Sequence, residues 1–275
     1  MYDLFQTVFR LSLLGSGVIL VLLCLKPLLT RAVPPRWQTL LWTLALVVMV
    51  LPVYQWVPVS IPAPAVPVIQ TLTETEVPVS DPQTGTEENT QVSPTPQAEL
   101  PDDSQPQRLT PVHLGYLWLA GTGIFLAFLL GSYGWLCRKL LKNSIKIPEH
   151  SLLEEVRQSL GIHRKIPLRE APGLPTPMLV GFFFPVVCLP DPDLPEEHLR
   201  MVLLHELTHY KRKDLLLKWL ALLVNAIHWF NPLAWLLTRS LGQACEDACD
   251  RDVTRDMSPQ ERKQYMYTIL TLAQG

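Results

Sequence analysis

A chain of 275 residues carrying a net charge of −2 is long enough for one sizeable domain or two small ones. That charge offers no basic excess for a phosphate backbone, so no direct nucleic-acid binding is expected. Apolar residues make up 48% of the chain, but they are gathered into runs, which points to a bilayer rather than to one buried core.

Leu11 to Leu25 is almost wholly apolar and continues past Lys26-Pro27 to Leu29; Trp37 to Val59 and Val112 to Cys137 follow. Each run is long enough to cross a hydrocarbon core, which takes about 20 apolar residues. Little amphipathic helix surrounds them, so three transmembrane helices are expected. The first does not read as a cleaved signal peptide: Asp3 precedes it, no basic region leads in and no small-x-small site follows. Arg10 can snorkel to the interface.

Basic residues near the runs set an orientation. Lys26, Arg31 and Arg36 lie between runs one and two, and Arg138, Lys139, Lys142 and Lys146 follow run three. Between runs two and three Arg108 stands alone against eight acidic residues. The N-terminus is thus expected outside, and everything after Cys137 in the cytoplasm. Pro58 to Pro111 holds eleven prolines with many acidic, Thr and Gln residues; it reads as a disordered external linker. None of the five cysteines falls there, so no disulfide framework is implied. The expected organisation is residues 1–57 as two membrane helices with a short cytoplasmic loop, 58–111 as linker and 112–137 as the third helix. Residues 138–275 are expected to form a cytoplasm-facing α+β domain, so the whole is a mostly α membrane protein.

From Ser151 the chain turns mixed. Ser151-Leu-Leu-Glu154 has the pattern of a capping box and Gly161 that of a helix stop. Ile166 to Glu170, Met178 to Val180 and Val186 to Leu189 read as short strands. Met178 to Phe183 can serve as an edge to which a peptide substrate adds, or as a purely structural hairpin. Asp193-Leu-Pro195-Glu196-Glu197 opens a helix, with the glutamates complementing its dipole.

On that helix stands His205-Glu206-Leu-Thr-His209. Histidines at i and i+4 differ by roughly 40° about the axis, so both rings leave one face and can reach one Zn²⁺. Glu206 can act on a water at that metal as general base. Glu246, about forty residues on, can supply a third ligand and leave the fourth tetrahedral position open. Asp250, one turn later, is suited to accept a hydrogen bond from a ligating histidine's free ring nitrogen. Asp247 and Asp252 read as ordinary acidic surface. Cys245 and Cys249 keep a thiolate ligand as an alternative. Arg212 and Asp214 are read as stabilising the helix end and its neighbours, with a direct catalytic role as the alternative.

Leu215 to Thr238 is apolar enough for a fourth span. A straight 24-residue helix, about 36 Å long, would carry Glu246 to the opposite side from His205. Asn231-Pro232 supplies a break, so an apolar helical hairpin is expected, Leu215 to Trp229 and Pro232 to Gln243. Ser258-Pro-Gln-Glu261 is a second capping-box pattern, opening a terminal helix to Ala273. The sequence does not identify an oxyanion donor; His228, Tyr265 and Tyr267 are candidates, each with a structural role as the favoured alternative.

His205-Glu-Leu-Thr-His209-Tyr-Lys-Arg212-Lys-Asp214, Trp229-Phe-Asn-Pro-Leu-Ala-Trp235 and Glu246-Asp-Ala-Cys-Asp250 together resemble the BlaR/MecR family of membrane metallopeptidases. The resemblance implies a gluzincin arrangement: one zinc on His205, His209 and Glu246, with Glu206 as base and acid. It also implies a sensor-transducer whose signalling leads to cleavage of a cytoplasmic transcriptional repressor. The antibiotic sensors of that family carry a further span and a penicillin-binding domain; this sequence stops at Gly275 and has no Ser-x-x-Lys, so β-lactam sensing is not carried over. A short relative and a truncated product both stay open, as does a homodimer. The rival readings are a membrane-protein quality-control peptidase and a non-catalytic signalling protein with a structural zinc.

Overall fold

The computed structural model describes residues 2–52, 111–148, 150–190 and 194–274. The Pro-rich linker (58–110) and the end of the second apolar run lie outside them. Two of the three expected runs form helices of spanning length: α1, Tyr2–Ala32, and α3, Pro111–Lys142. At 31 and 32 residues they are about 46 and 48 Å long. Their exposed faces are apolar: Leu13, Leu117, Ile124 and Phe128 are 60%, 62%, 72% and 71% exposed, a surface suited to lipid. The second run gives α2, Pro35–Val50, only 16 residues. That is about 24 Å, short of the roughly 30 Å hydrocarbon core. Leu51 leaves the helix with φ −92° and ψ 130°, the extended conformation that Pro52 imposes on the residue before it. Helix α2 also buries Trp42, Leu46 and Met49 in a core shared with α1 and the hairpin, while Trp37, Leu40 and Leu44 stay exposed.

The hairpin consists of α6, Asp214–Ile227, and the first half of α7, Pro232–Thr254. Asn231 closes the turn by accepting from the Leu233 amide (2.9 Å), an N-cap bond worth about 1 kcal/mol. Its side-chain amide donates to Ser12 Oγ (2.7 Å) and Ser16 Oγ (2.8 Å) on α1. His228 Nε2 donates to the Met49 carbonyl at the end of α2 (3.0 Å), and Trp118 Nε1 on α3 donates to the Ile227 carbonyl (2.8 Å). The turn is thus tied to all three N-terminal helices. Gly121 makes room for it, since a Cβ there would meet the Trp229 ring at 2.5 Å. Helix α7 then runs on past the hairpin to carry residues 246 and 250 back to α5.

The remaining elements form a small α+β layer. A four-stranded sheet has the order β1-β2-β4-β3, from β1 Ile145–Lys146, β2 Leu168–Glu170, β3 Met178–Val180 and β4 Val186–Leu189. Strands β2 and β4 are parallel, β1 and β3 antiparallel edges. Helices α4, Ser151–Ser159, and α5, Glu196–Arg212, pack with the sheet around Val156, Val187, Leu189 and Leu203. Helix α8, Pro259–Gln274, packs on α5.

The two capping-box patterns part company. Ser258 and Glu261 form theirs reciprocally: the Glu261 amide donates to Ser258 Oγ (3.3 Å) and the Ser258 amide to Glu261 Oε2 (2.7 Å). At the start of α4 the pattern fails, because the helix begins at Ser151 with His150 as its cap and no side-chain cap bond. Glu154 instead receives Arg157 and Gln158. The predicted stop at Gly161 does form, with φ +69°.

Candidate metal centre

Helix α5 presents His205 and His209 on one face, and the antiparallel run of α7 brings Glu246 against them. His205 Nε2 lies 3.2 Å from His209 Nε2, and Glu246 Oε2 lies 3.1 Å from His209 Nε2 and 3.7 Å from His205 Nε2. A tetrahedral ion with bonds of about 2.0–2.1 Å needs donor pairs about 3.3–3.4 Å apart. All three edges lie close to that value, so the three atoms can share one cation.

Each histidine's other nitrogen is held from behind, which is how ligating rings are oriented. His209 Nδ1 meets Asp214 Oδ2 at 2.8 Å. His205 Nδ1 meets the Tyr265 hydroxyl at 2.7 Å, and that hydroxyl donates to Asp250 Oδ1 at 2.6 Å. Asp250 Oδ1 is itself 3.3 Å from His205 Nδ1, so the expected contact exists, with Tyr265 wedged alongside. Lys218 donates to Glu246 Oε1 at 2.9 Å, leaving Oε2 for the histidines.

The electrostatics call for positive charge at this point. Burial alone would depress both imidazoles. Hydrogen bonds to Asp214, Cys249 and Glu246 overcome it at His209, whose pKa rises to about 11. His205 moves the same way, through Asp250, Cys249 and Glu246. Glu246 is held well below the carboxylate range: burial opposes this, but bonds from both histidines prevail. The carboxylates of Glu246, Asp214 and Asp250 converging on two rings make this a place suited to a cation.

Glu206 lines the same cavity of about 370 Å³, with Met178, Leu179, Val202, Leu215 and Lys218. Desolvation pushes its carboxyl up, against the downward pull of His205, His209 and the Leu179 backbone amide. A carboxylate raised in this way is a better proton acceptor.

Several sequence readings need adjustment. Asp214 is no mere helix-end stabiliser; it is 1% exposed and orients His209. The signal was an acid five residues after His209 across a helix break, where Lys213 turns the chain with φ 61°. Asp252 is not ordinary surface: it receives Arg212 (2.7 Å) and Arg36 Nε (2.8 Å). Of the oxyanion candidates, Tyr265 is fully buried behind His205, His228 sits in the hairpin turn and Tyr267 is 65% exposed. None of the three lines the cavity.

Of the thiols, Cys245 is buried in the α2–α7 core. Cys249 is nearer: its ligand atom and those of His205 and His209 lie within 4.8 Å of one another. Its sulfur, however, is 3.9 Å from His205 Nδ1 and 3.5 Å from the His205 carbonyl. That places it by the ring nitrogen already bound to Tyr265, whereas Glu246 faces both Nε2 atoms.

A helix bearing His-Glu-x-x-His, an acidic third donor from a returning helix and an edge strand beside them define a peptidase-like centre. The chain belongs to the BlaR1 peptidase M56 family, whose model matches residues 6–275. It is 29% identical to the regulatory protein BlaR1 of Bacillus licheniformis over 161 residues, 56% of this chain and 26% of that protein. It is 25% identical to the methicillin resistance mecR1 proteins of Staphylococcus aureus and Staphylococcus epidermidis over 162 residues. The aligned part spans about a quarter of the length of these relatives.

Proposed function

We propose that the chain is a membrane-embedded zinc endopeptidase of a bacterial cell membrane, with its centre on the cytoplasmic side, as the basic residues that close α3 support. His205, His209 and Glu246 hold the zinc, Glu206 is the general base, and Asp214, Asp250 and Tyr265 fix the ligand rings. The observation that carries this reading is the 3.1–3.7 Å triangle of His205 Nε2, His209 Nε2 and Glu246 Oε2, with Glu206 on the same cavity wall.

Bound zinc supplies Lewis-acid polarisation of a peptide carbonyl and acidifies water beside it. The protein does the rest. The edge strand β3 receives an extended segment through main-chain hydrogen bonds. Glu206 takes the proton of the attacking water and passes it to the departing amine nitrogen. Val202, Leu215, Ile269 and Leu272 line the cavity and limit competing water. The relatives' names as a regulatory and a resistance protein support a signalling role, with a cytoplasmic transcriptional repressor as the protein substrate.

The test is Glu206→Gln in the full chain, co-expressed with candidate cytoplasmic transcriptional repressors that the parent chain cleaves. Zinc content should be unchanged and cleavage should fall by at least about a hundredfold, the scale of general-base loss. Cleavage at the parental rate with zinc in place would remove Glu206 from the mechanism.

A further inference from the structure

We propose that the tip of the β3–β4 hairpin, Phe182-Phe183-Phe184, is a second membrane contact, seated in the lipid at the boundary between headgroups and acyl chains. The three rings are 40%, 73% and 80% exposed, an unbroken aromatic patch following the strand whose Met178 and Leu179 line the cavity. Gly181 makes the turn possible: its φ is +96°, and a Cβ there would lie 2.2 Å from the Phe184 carbonyl oxygen.

The tip's place along α3 identifies its surroundings. The Gly181 amide donates to the Tyr133 hydroxyl on α3 (3.1 Å). Phe182 lies 6.3 Å from the Trp219 ring, which packs edge-on against Tyr133 at 4.7 Å. The 30-residue apolar stretch His113–Lys142 is about 45 Å long, matching the hydrocarbon core plus both headgroup layers. Tyr133 lies about 13 Å from its Lys142 end, which puts it several ångströms inside the acyl boundary. The tip is bonded to α3 at that depth.

Its backbone and charges fit the same location. Unmet backbone groups are costly in hydrocarbon, and here the Gly181 amide is taken by Tyr133 and the Phe183 carbonyl by Arg164 (2.6 Å). On the water side, exposed Arg138 and Lys139 follow on α3 and Arg164 flanks the tip, a set suited to anionic headgroups. Lys139 lies over the Trp135 ring at 5.1 Å, the pairing of aromatic and basic residues found at membrane interfaces. The tip begins three residues after Leu179, whose amide bonds Glu206. Anchoring it therefore holds the substrate-binding edge at the membrane surface, so that the segments cut are those presented close to the bilayer. The inference rests on α3 being a span.

The test uses the full chain in nanodiscs of phosphatidylcholine and phosphatidylglycerol, with Cys24→Ser and Cys137→Ser as background. Single spin labels are attached through Phe183→Cys, through Phe184→Cys and, as a depth reference, through Ile124→Cys on α3. Collisions with oxygen, which enters lipid, are compared with collisions with a water-soluble nickel chelate. The expected result is oxygen-dominated relaxation at all three positions, shallower at 183 and 184 than at 124. Nickel-dominated relaxation at 183 and 184 with oxygen dominance at 124 would overturn the anchor and leave the span intact. Labels at 183 and 184 shielded from both reagents would mean that protein covers the tip, which also overturns it. Nickel dominance at 124 would remove the span and the anchor together.

Discussion

The two facing histidines are braced by unlike material. Behind His209 stands charge: Asp214, 1% exposed, bonded to Arg212 (3.1 Å), which bonds Asp252, which bonds Arg36 at the start of α2. Behind His205 stands a neutral phenol, Tyr265 on α8, backed by the part-exposed Asp250 of α7. The first brace crosses from the centre to a membrane-proximal helix, while the second stays within the α5–α7–α8 cluster. One histidine is therefore linked to the N-terminal helices and the other to its own cluster.

The largest test of this contrast is Asp214→Asn. It keeps the shape but removes the buried charge, and zinc affinity should fall about 10- to 100-fold in a competition titration with a chromogenic chelator. Tyr265→Phe should cost less than tenfold in the same titration, because Asp250 already lies 3.3 Å from the same ring nitrogen. If Tyr265→Phe proves the more damaging, the order of the braces is reversed. The smallest effect is expected from Ser258→Ala, which removes the cap of the helix carrying Tyr265. It should lower stability by about 1 kcal/mol, read as a shift in thermal unfolding, and leave zinc affinity within a factor of two or so.

What the sequence displayed was whatever is written at short range or by helix geometry. His205, Glu206 and His209 stand on one turn, and the need for Glu246 to rejoin them was enough to predict the hairpin break at Asn231-Pro232. Strands β3 and β4 were legible from their bounding Pro and Gly turns, whereas β1 is two exposed residues and carries no pattern. The braces were partly hidden, since Tyr265 and Asp252 meet their partners only through the packing of α8 and α2. Ser151-Glu154 and Ser258-Glu261 make the same point locally: one pattern, two outcomes, decided by where each helix begins and by what else Glu154 can bond.

Lys213 separates α5 from α6 and is the single non-glycine residue with positive φ among those described. Helix α6 is an arm of 14 residues, about 21 Å long, whose far end is tied into the N-terminal helices and whose near end begins with Asp214. That one left-handed residue sets the direction in which α6 leaves α5, and with it the place of the Asp214 carboxylate against His209.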